Sequence, residues 1–358
     1  MSKKNKIYIP FYMKLSSLRQ LLLFNFEKDR HEKYYAFELQ YINYGNRQEG
    51  YRLIAYLNDG FVDVYDEKKL PVCNKESFSL CGKGCKNYTQ VDFEIAYMDE
   101  SDSGIHAEVK FKDIYGNTIH AKVKENRTKK SIPFNLIAPI GHSSSNPSRF
   151  PVIAMYGFDF STKKNAEIFI RINEENYEPD PFIVPIPKNG SMRYFTRYGL
   201  DCEHIEFCPE WNKTLEKREL SDTIIFDNMK CIVKQSNNNF WLKEISVLNS
   251  NHTFKLQFDK EGFPDLLRMK LEKASGKFEI CMDKCMGKIA GVYEIDKSGN
   301  SVKIQLHPSE GWVSKNKQIT EHIILSKNSI FRRWPASYIY EQNLNLETGK
   351  SVVKWKRK

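Results

Sequence analysis

The run Arg52-Leu-Ile-Ala-Tyr-Leu-Asn-Asp-Gly-Phe-Val-Asp-Val-Tyr65 decides the fold class. Two stretches of β-branched and aromatic residues flank Asp59-Gly60, and a two-residue type I′ turn needs positive φ at both central positions, which this pair tolerates. The run therefore predicts a β-hairpin. The same theme recurs downstream: Ala107, Val109 and Phe111, then Ile119, Ala121 and Val123, alternate with polar residues on either side of Tyr115-Gly116-Asn117. Residues two apart share one face of a strand, so each arm buries one face and wets the other. In the second half, Phe254, Leu256 and Phe258 lead through Gly262 to Leu267, Met269 and Leu271 as a return arm. Val292, Tyr293 and Ile295 turn at Ser298-Gly299-Asn300 into Val302, Ile304 and Leu306, an echo of the earlier hairpin that hints at a duplicated unit. Ile319 to Leu325 and Tyr338 to Leu346 read as further strands. Trp211 to Leu220 is a helical candidate, and Ser16 to Phe26 fits a helix or a buried strand equally. Short strands separated by glycine turns predict an all-β chain of two antiparallel barrel-like or sandwich-like halves, with few short helices.

The chain has 358 residues, of which 55 are Lys or Arg and 45 Asp or Glu, a formal charge of +10, with 41% hydrophobic and 13% aromatic residues. So apolar a composition excludes a disordered polypeptide. At roughly 150 residues per domain the length suggests two domains. The irregular zone from Asp201 to Lys213 puts the boundary near residue 210, giving 1–210 and 211–358. No stretch approaches the ~18 uncharged apolar residues of a membrane-spanning helix. Ile7 to Leu23 is broken by Pro10, Lys14, Arg19 and Gln20, so neither a membrane span nor an export signal is expected. Eight cysteines without such a signal read as reduced thiols in a cytoplasmic protein. Basic residues gather most densely in the tail, Lys354, Lys356, Arg357 and Lys358, with a smaller group at Lys3, Lys4 and Lys6, and elsewhere alternate with acids, so nucleic acid is not an expected partner.

Several constellations carry chemistry. Cys81-Gly-Lys-Gly-Cys85 and Cys281-Met-Asp-Lys-Cys285 share a spacing from which four thiolates could hold zinc, although buried free cysteine also serves as a small hydrophobe. The expectation is no metal. Gly141-His142-Ser143 sits in a hydroxyl-rich loop, and Asp159 lies among the aromatics of Ile153 to Phe160. A desolvated carboxyl there has a raised pKa and can act as a general acid, with His142 as partner; the plainer alternative is a wet face or a salt bridge. In Ser191-Met-Arg-Tyr-Phe-Thr-Arg-Tyr198, a strand shows Arg193 and Arg197 on one side and Tyr194 and Tyr198 on the other. Paired arginines clamp carboxylate or phosphate, and tyrosines offer flat surface with a polar tip. Trp312, Arg333 and Trp334 stand at turns of the kind that carry ligand groups at barrel mouths, or that simply close a barrel end. There is no phosphate loop, dinucleotide fingerprint, His-Glu-x-x-His or calcium loop, and no cofactor is expected.

The hairpins at 105 to 125 and 291 to 306, and Arg333-Trp334-Pro335 ahead of a final strand, carry a resemblance. By them the chain resembles bacterial two-part β-proteins and is similar to tandem lipocalin-like proteins of the carotenoid-hydratase type. The resemblance implies two barrel-like halves with a ligand site between or within them. It supplies no catalytic motif, and no active-site residue is carried over. The expected function is binding of a small lipid-like, sugar or anionic ligand in an aromatic-lined pocket. The alternatives are an acid–base enzyme of hydratase, isomerase or carbohydrate-active type, and an interaction module that assembles as a homo-oligomer through an edge strand.

Overall fold

A computed structural model describes residues 5–128, 132–141, 144, 147–161, 166–181, 196–208, 211–236, 239–259, 261–315, 318–327 and 330–358. The fold is all-β, with 59% strand and 7% helix in large curled sheets. Two compact units divide the chain. One is Met1–Ser16, Ile137–Ile153 and Glu203–Lys358; the other is Ser17–Leu136 and Ala154–Cys202. The chain thus passes between them after Ser16, Leu136, Ile153 and Cys202, whereas the division expected near residue 210 is a single cut.

The Ser17–Leu136 unit is a two-sheet sandwich. In one sheet Thr196–Gly199, Leu18–Asn25, Tyr34–Asn43, Glu49–Leu57 and Val62–Glu67 run antiparallel in that order, and Cys85–Val91 adds a parallel edge. The other orders Glu175–Tyr177, Ala166–Ile172, Thr118–Glu125, Gly104–Lys112 and Ile95–Ser101. Period-two patterning places Leu22, Leu39, Leu53 and Tyr65 of the first sheet against Ala107, Val109, Phe111, Ile119, Ala121 and Val123 of the second, all buried. The expected hairpin at Arg52 to Tyr65 is present, but its turn is not the two-residue type. Leu57 N–H donates to Phe61 O at 2.9 Å, leaving a three-residue loop in which Gly60 alone has positive φ (+89°). Asp59 instead accepts the Phe61 N–H at 3.0 Å, and the loop-ending glycine takes the left-handed position. Asp113 to Asn117 closes in the same manner around Gly116.

The Glu203–Lys358 unit is an antiparallel meander. Its sheet runs from Thr223–Phe226 through Met229–Ser236, Asn239–Val247, Lys255–Phe258, Lys273–Cys281, Lys288–Ser298, Ser301–Val313 and Tyr338–Asn345 to Lys350–Arg357, with Trp211–Thr214 beyond. Three expectations are corrected. Trp211 to Leu220 holds two short strands, Trp211–Thr214 and Arg218–Glu219, because Trp211 pairs with Val353 across the sheet. The return arm after Lys255–Phe258 is Lys273–Cys281, not Leu267 to Leu271, and Leu271 is exposed. Ile319 to Leu325 is helical, as Ile319–Lys327, because Glu321, Ile324 and Leu325 are buried and their spacing is that of one helix face. Among the described residues no helix is long and apolar enough to cross a membrane.

Candidate functional site

The strand Thr196–Gly199 lies between Leu18–Asn25 and Phe150–Phe160, with Arg197 opposite Leu23 and Phe160, and Tyr198 opposite Leu22 and Asp159. The alternation read from the sequence therefore separates the two side chains onto opposite faces of one sheet. Following the register, Tyr198 shares its row with Leu22, Leu39, Leu53 and Tyr65, the core row of the sandwich. Arg197 shares the opposite row with Leu23, Glu38, Ile54 and Val64. That second face carries a smaller apolar cluster of Ile54, Val62, Val64 and Phe78 beside its polar groups.

On the core face, Tyr198 and Asp159 belong to a closed polar network. Arg127 reaches Asp159 Oδ2 and Glu125 Oε1, each at 2.5 Å, and donates to Tyr198 OH at 2.7 Å and Phe160 O at 3.0 Å. Tyr198 OH in turn donates to Glu125 Oε2 at 3.2 Å. Burial pulls the Arg127 pKa down, but Asp159, Tyr198 and Glu125 overcome it and hold the guanidinium charged. Burial, then Asp159 and Glu125, push the Tyr198 phenol up. Asp159 is thus the salt-bridged carboxylate of the plainer alternative, with four groups fixed by mutual hydrogen bonds.

The opposite face is polar where a sheet interior is ordinarily apolar. Glu38, Gln40 and Arg52 are all buried on it. Glu38 accepts from Gln40 Nε2 at 2.5 Å and from Tyr56 OH at 2.8 Å. Burial pushes the Glu38 carboxyl up, against the hydrogen bonds from Gln40 and Tyr56 and the charge of Arg197. Burial also pushes Arg197 down to about 10, and Tyr56, Glu38 and Asp180 only partly offset it. Further along the face, Arg52 forks onto Asp66 through Nε at 2.6 Å and Nη2 at 2.8 Å, and Tyr88 OH donates to the same carboxylate at 3.1 Å. Arg197, Glu38, Tyr56 and Gln40 therefore form a desolvated patch with one cation, one carboxyl, one phenol and one amide. Sequence reading missed Glu38, Gln40 and Tyr56. The signal was available in Phe37-Glu38-Leu39-Gln40-Tyr41, where two polar residues share one face of a strand with little other polarity.

The remaining candidates are dispersed. His142, Arg193 and Tyr194 lie outside the described residues. Trp312 is buried and its Nε1 donates to Met286 O at 3.0 Å, a structural bond. Arg333 is exposed, while its neighbour Trp334 is buried against Phe150, with ring centroids 5.1 Å apart. Cys81 and Cys85 pack beside the Phe78 cluster, and Cys85 Sγ donates to Asn87 O at 3.2 Å. Cys281 Sγ donates to Gln257 Oε1 at 3.2 Å, and Cys285 is exposed. Burial pushes the Cys85 and Cys281 thiols up to about 11. Among the described residues, no group of three or more His, Cys, Asp or Glu is arranged to hold a metal ion. No family model, curated protein or solved structure matches the chain.

Proposed function

We propose that the chain binds a small anionic amphiphile, its head group on Arg197 and its apolar part along the face that carries Leu23, Ile54, Val64 and Phe78. The observation that supports this is the row that Arg197, Leu23, Glu38, Ile54 and Val64 form across one face of the sheet, where burial holds the Glu38 carboxyl up and brings the Arg197 guanidinium down to about 10. A desolvated cation beside a carboxyl whose own charge is disfavoured gains most from an added anion. Gln40 and Tyr56 add polar contacts, and the aliphatic row supplies the apolar wall.

Dodecanoate and its methyl ester, used below their aggregation limits, test the reading by thermal unfolding. Dodecanoate is expected to raise the melting temperature of the native chain and the ester to do so far less; Arg197→Gln is expected to remove the difference. Equal shifts from acid and ester, or an undiminished dodecanoate effect in Arg197→Gln, would refute it. A second reading, acid–base catalysis at the same face, is favoured by Glu38, whose raised carboxyl is hydrogen-bonded to Tyr56. Under that reading Glu38 gives up the proton, and Glu38→Gln retains binding while losing turnover.

A further inference from the structure

Glu38 stands in the same row as Arg197, with only Leu23 between them across the sheet. It is buried, and neutral donors hold both of its oxygens: Gln40 Nε2 donates to Oε1 at 2.5 Å and the Tyr56 hydroxyl to Oε2 at 2.8 Å. The titratable groups around it come from several elements. Tyr56 lies on Glu49–Leu57, Arg197 on Thr196–Gly199 and Cys202 on Asp201–Phe207. Tyr35 and Cys81 border Tyr56, and Asp180 bears on Arg197. Burial pushes the Tyr56 phenol and the Cys202 thiol up, away from ionisation, so Arg197 and Glu38 set the charge balance of the row.

We infer that an anion binds on Arg197 together with a proton, which Glu38 takes up on Oε2; the inference rests on the Arg197 site proposed above. Charge balance demands the proton. With both groups ionised the row is neutral, and an added anion leaves one negative charge in excess where water screens it poorly. Two anionic groups on one desolvated face are the condition under which a carboxylate protonates. Glu38 is the group that yields, because burial already holds its carboxyl up. Its hydrogen bonds survive the change. Gln40 keeps its donation to Oε1, the new Oε2–H donates to the Tyr56 oxygen, and the phenolic hydrogen that pointed at Glu38 turns to the ligand. The site therefore takes up a weak acid as anion plus proton, and its affinity for the anion falls as pH rises above the Glu38 pKa.

Octanesulfonate is the probe, because it stays ionised throughout and any proton taken up must go to the protein. Calorimetric titration over a pH series, in buffers of different ionisation enthalpy, reads the uptake directly. In the native chain it is expected to peak at between about half a proton and one per ligand, with affinity falling by up to about tenfold per pH unit in that range. Glu38→Gln holds the shape of the protonated acid. It should take up no proton, bind independently of pH and, on the alkaline side, bind more tightly than the native chain, whereas a merely structural Glu38 would lose affinity. The uptake by the native chain does not depend on the variant folding. Binding without proton uptake, uptake that persists in Glu38→Gln, or weaker alkaline binding by a folded Glu38→Gln would overturn the inference and leave the Arg197 site standing. Failure of octanesulfonate to bind the native chain at any pH would overturn that site and the inference with it, so the two failures are distinguishable.

Discussion

Arg52 is buried and Arg127 and Arg197 are half-buried in one unit, and their neighbours decide what each can do. Asp66 has no solvent exposure and takes both arms of Arg52, so removing the arginine alone leaves a carboxylate buried without its counter-charge. Arg52→Met is expected to cost about 3–5 kcal/mol in equilibrium urea unfolding, and Arg52→Met with Asp66→Leu to recover most of the loss, because a buried pair replaced as a pair leaves no orphan. A single variant within about 1 kcal/mol of native would show that water reaches Asp66. At this scale the sequence was half legible. Alternation alone separated Arg197 from Tyr198, but the partners that hold the Tyr198 hydroxyl, Arg127 and Glu125, are 71 and 73 residues away. Such pairings arise from sheet register, which no local pattern encodes.

Hairpins were the most legible elements, since period-two burial at Ala107, Val109, Phe111, Ile119, Ala121 and Val123 is the pattern that the residues themselves display. Turn type was less so, because Asp59-Gly60 suits a two-residue loop as well as the three-residue loop in which only Gly60 needs left-handed φ. A Cβ at Gly60 would also come within 2.9 Å of Lys83 Cε, a flexible atom able to yield, so backbone strain dominates the cost of substitution. Gly60→Asn should therefore lose under about 1 kcal/mol and Gly60→Val about 1–2 kcal/mol, since asparagine tolerates this region and a β-branched residue does not. Equal urea midpoints for the two variants would contradict that account. The helix Ile319–Lys327 was misread for a related reason. Its buried positions include Glu321, and a pattern counted over apolar residues alone sees a β-branched run.

The four crossings of the chain bear on what can fold alone. Residues 1–210 contain all of the Ser17–Leu136 and Ala154–Cys202 unit, but 211–358 is an incomplete version of the other. That unit builds its core from rings on both sides of the cut. Phe11 packs 5.5 Å from Phe258 and 5.0 Å from Phe263, and Phe150 stacks between Trp334 and Trp355. Phe207 and Cys208 supply the carbonyls that satisfy the Trp355 indole. Losing one buried phenylalanine from such a core costs about 3–5 kcal/mol. Three together are comparable to the whole stability of a typical domain, about 5–15 kcal/mol. The fragment 211–358 is accordingly expected to lack near-ultraviolet circular dichroism and a cooperative thermal transition, while 1–210 retains the cooperative unfolding of its sandwich. A cooperative melt of 211–358 with native-like aromatic dichroism would mean that the long meander closes its core without Phe11, Phe150 and Phe207. The rings of Trp334 and Trp355 would then have to pack on each other or on solvent-facing strands, which the alternating burial of Lys350–Arg357 leaves on only one side of the sheet.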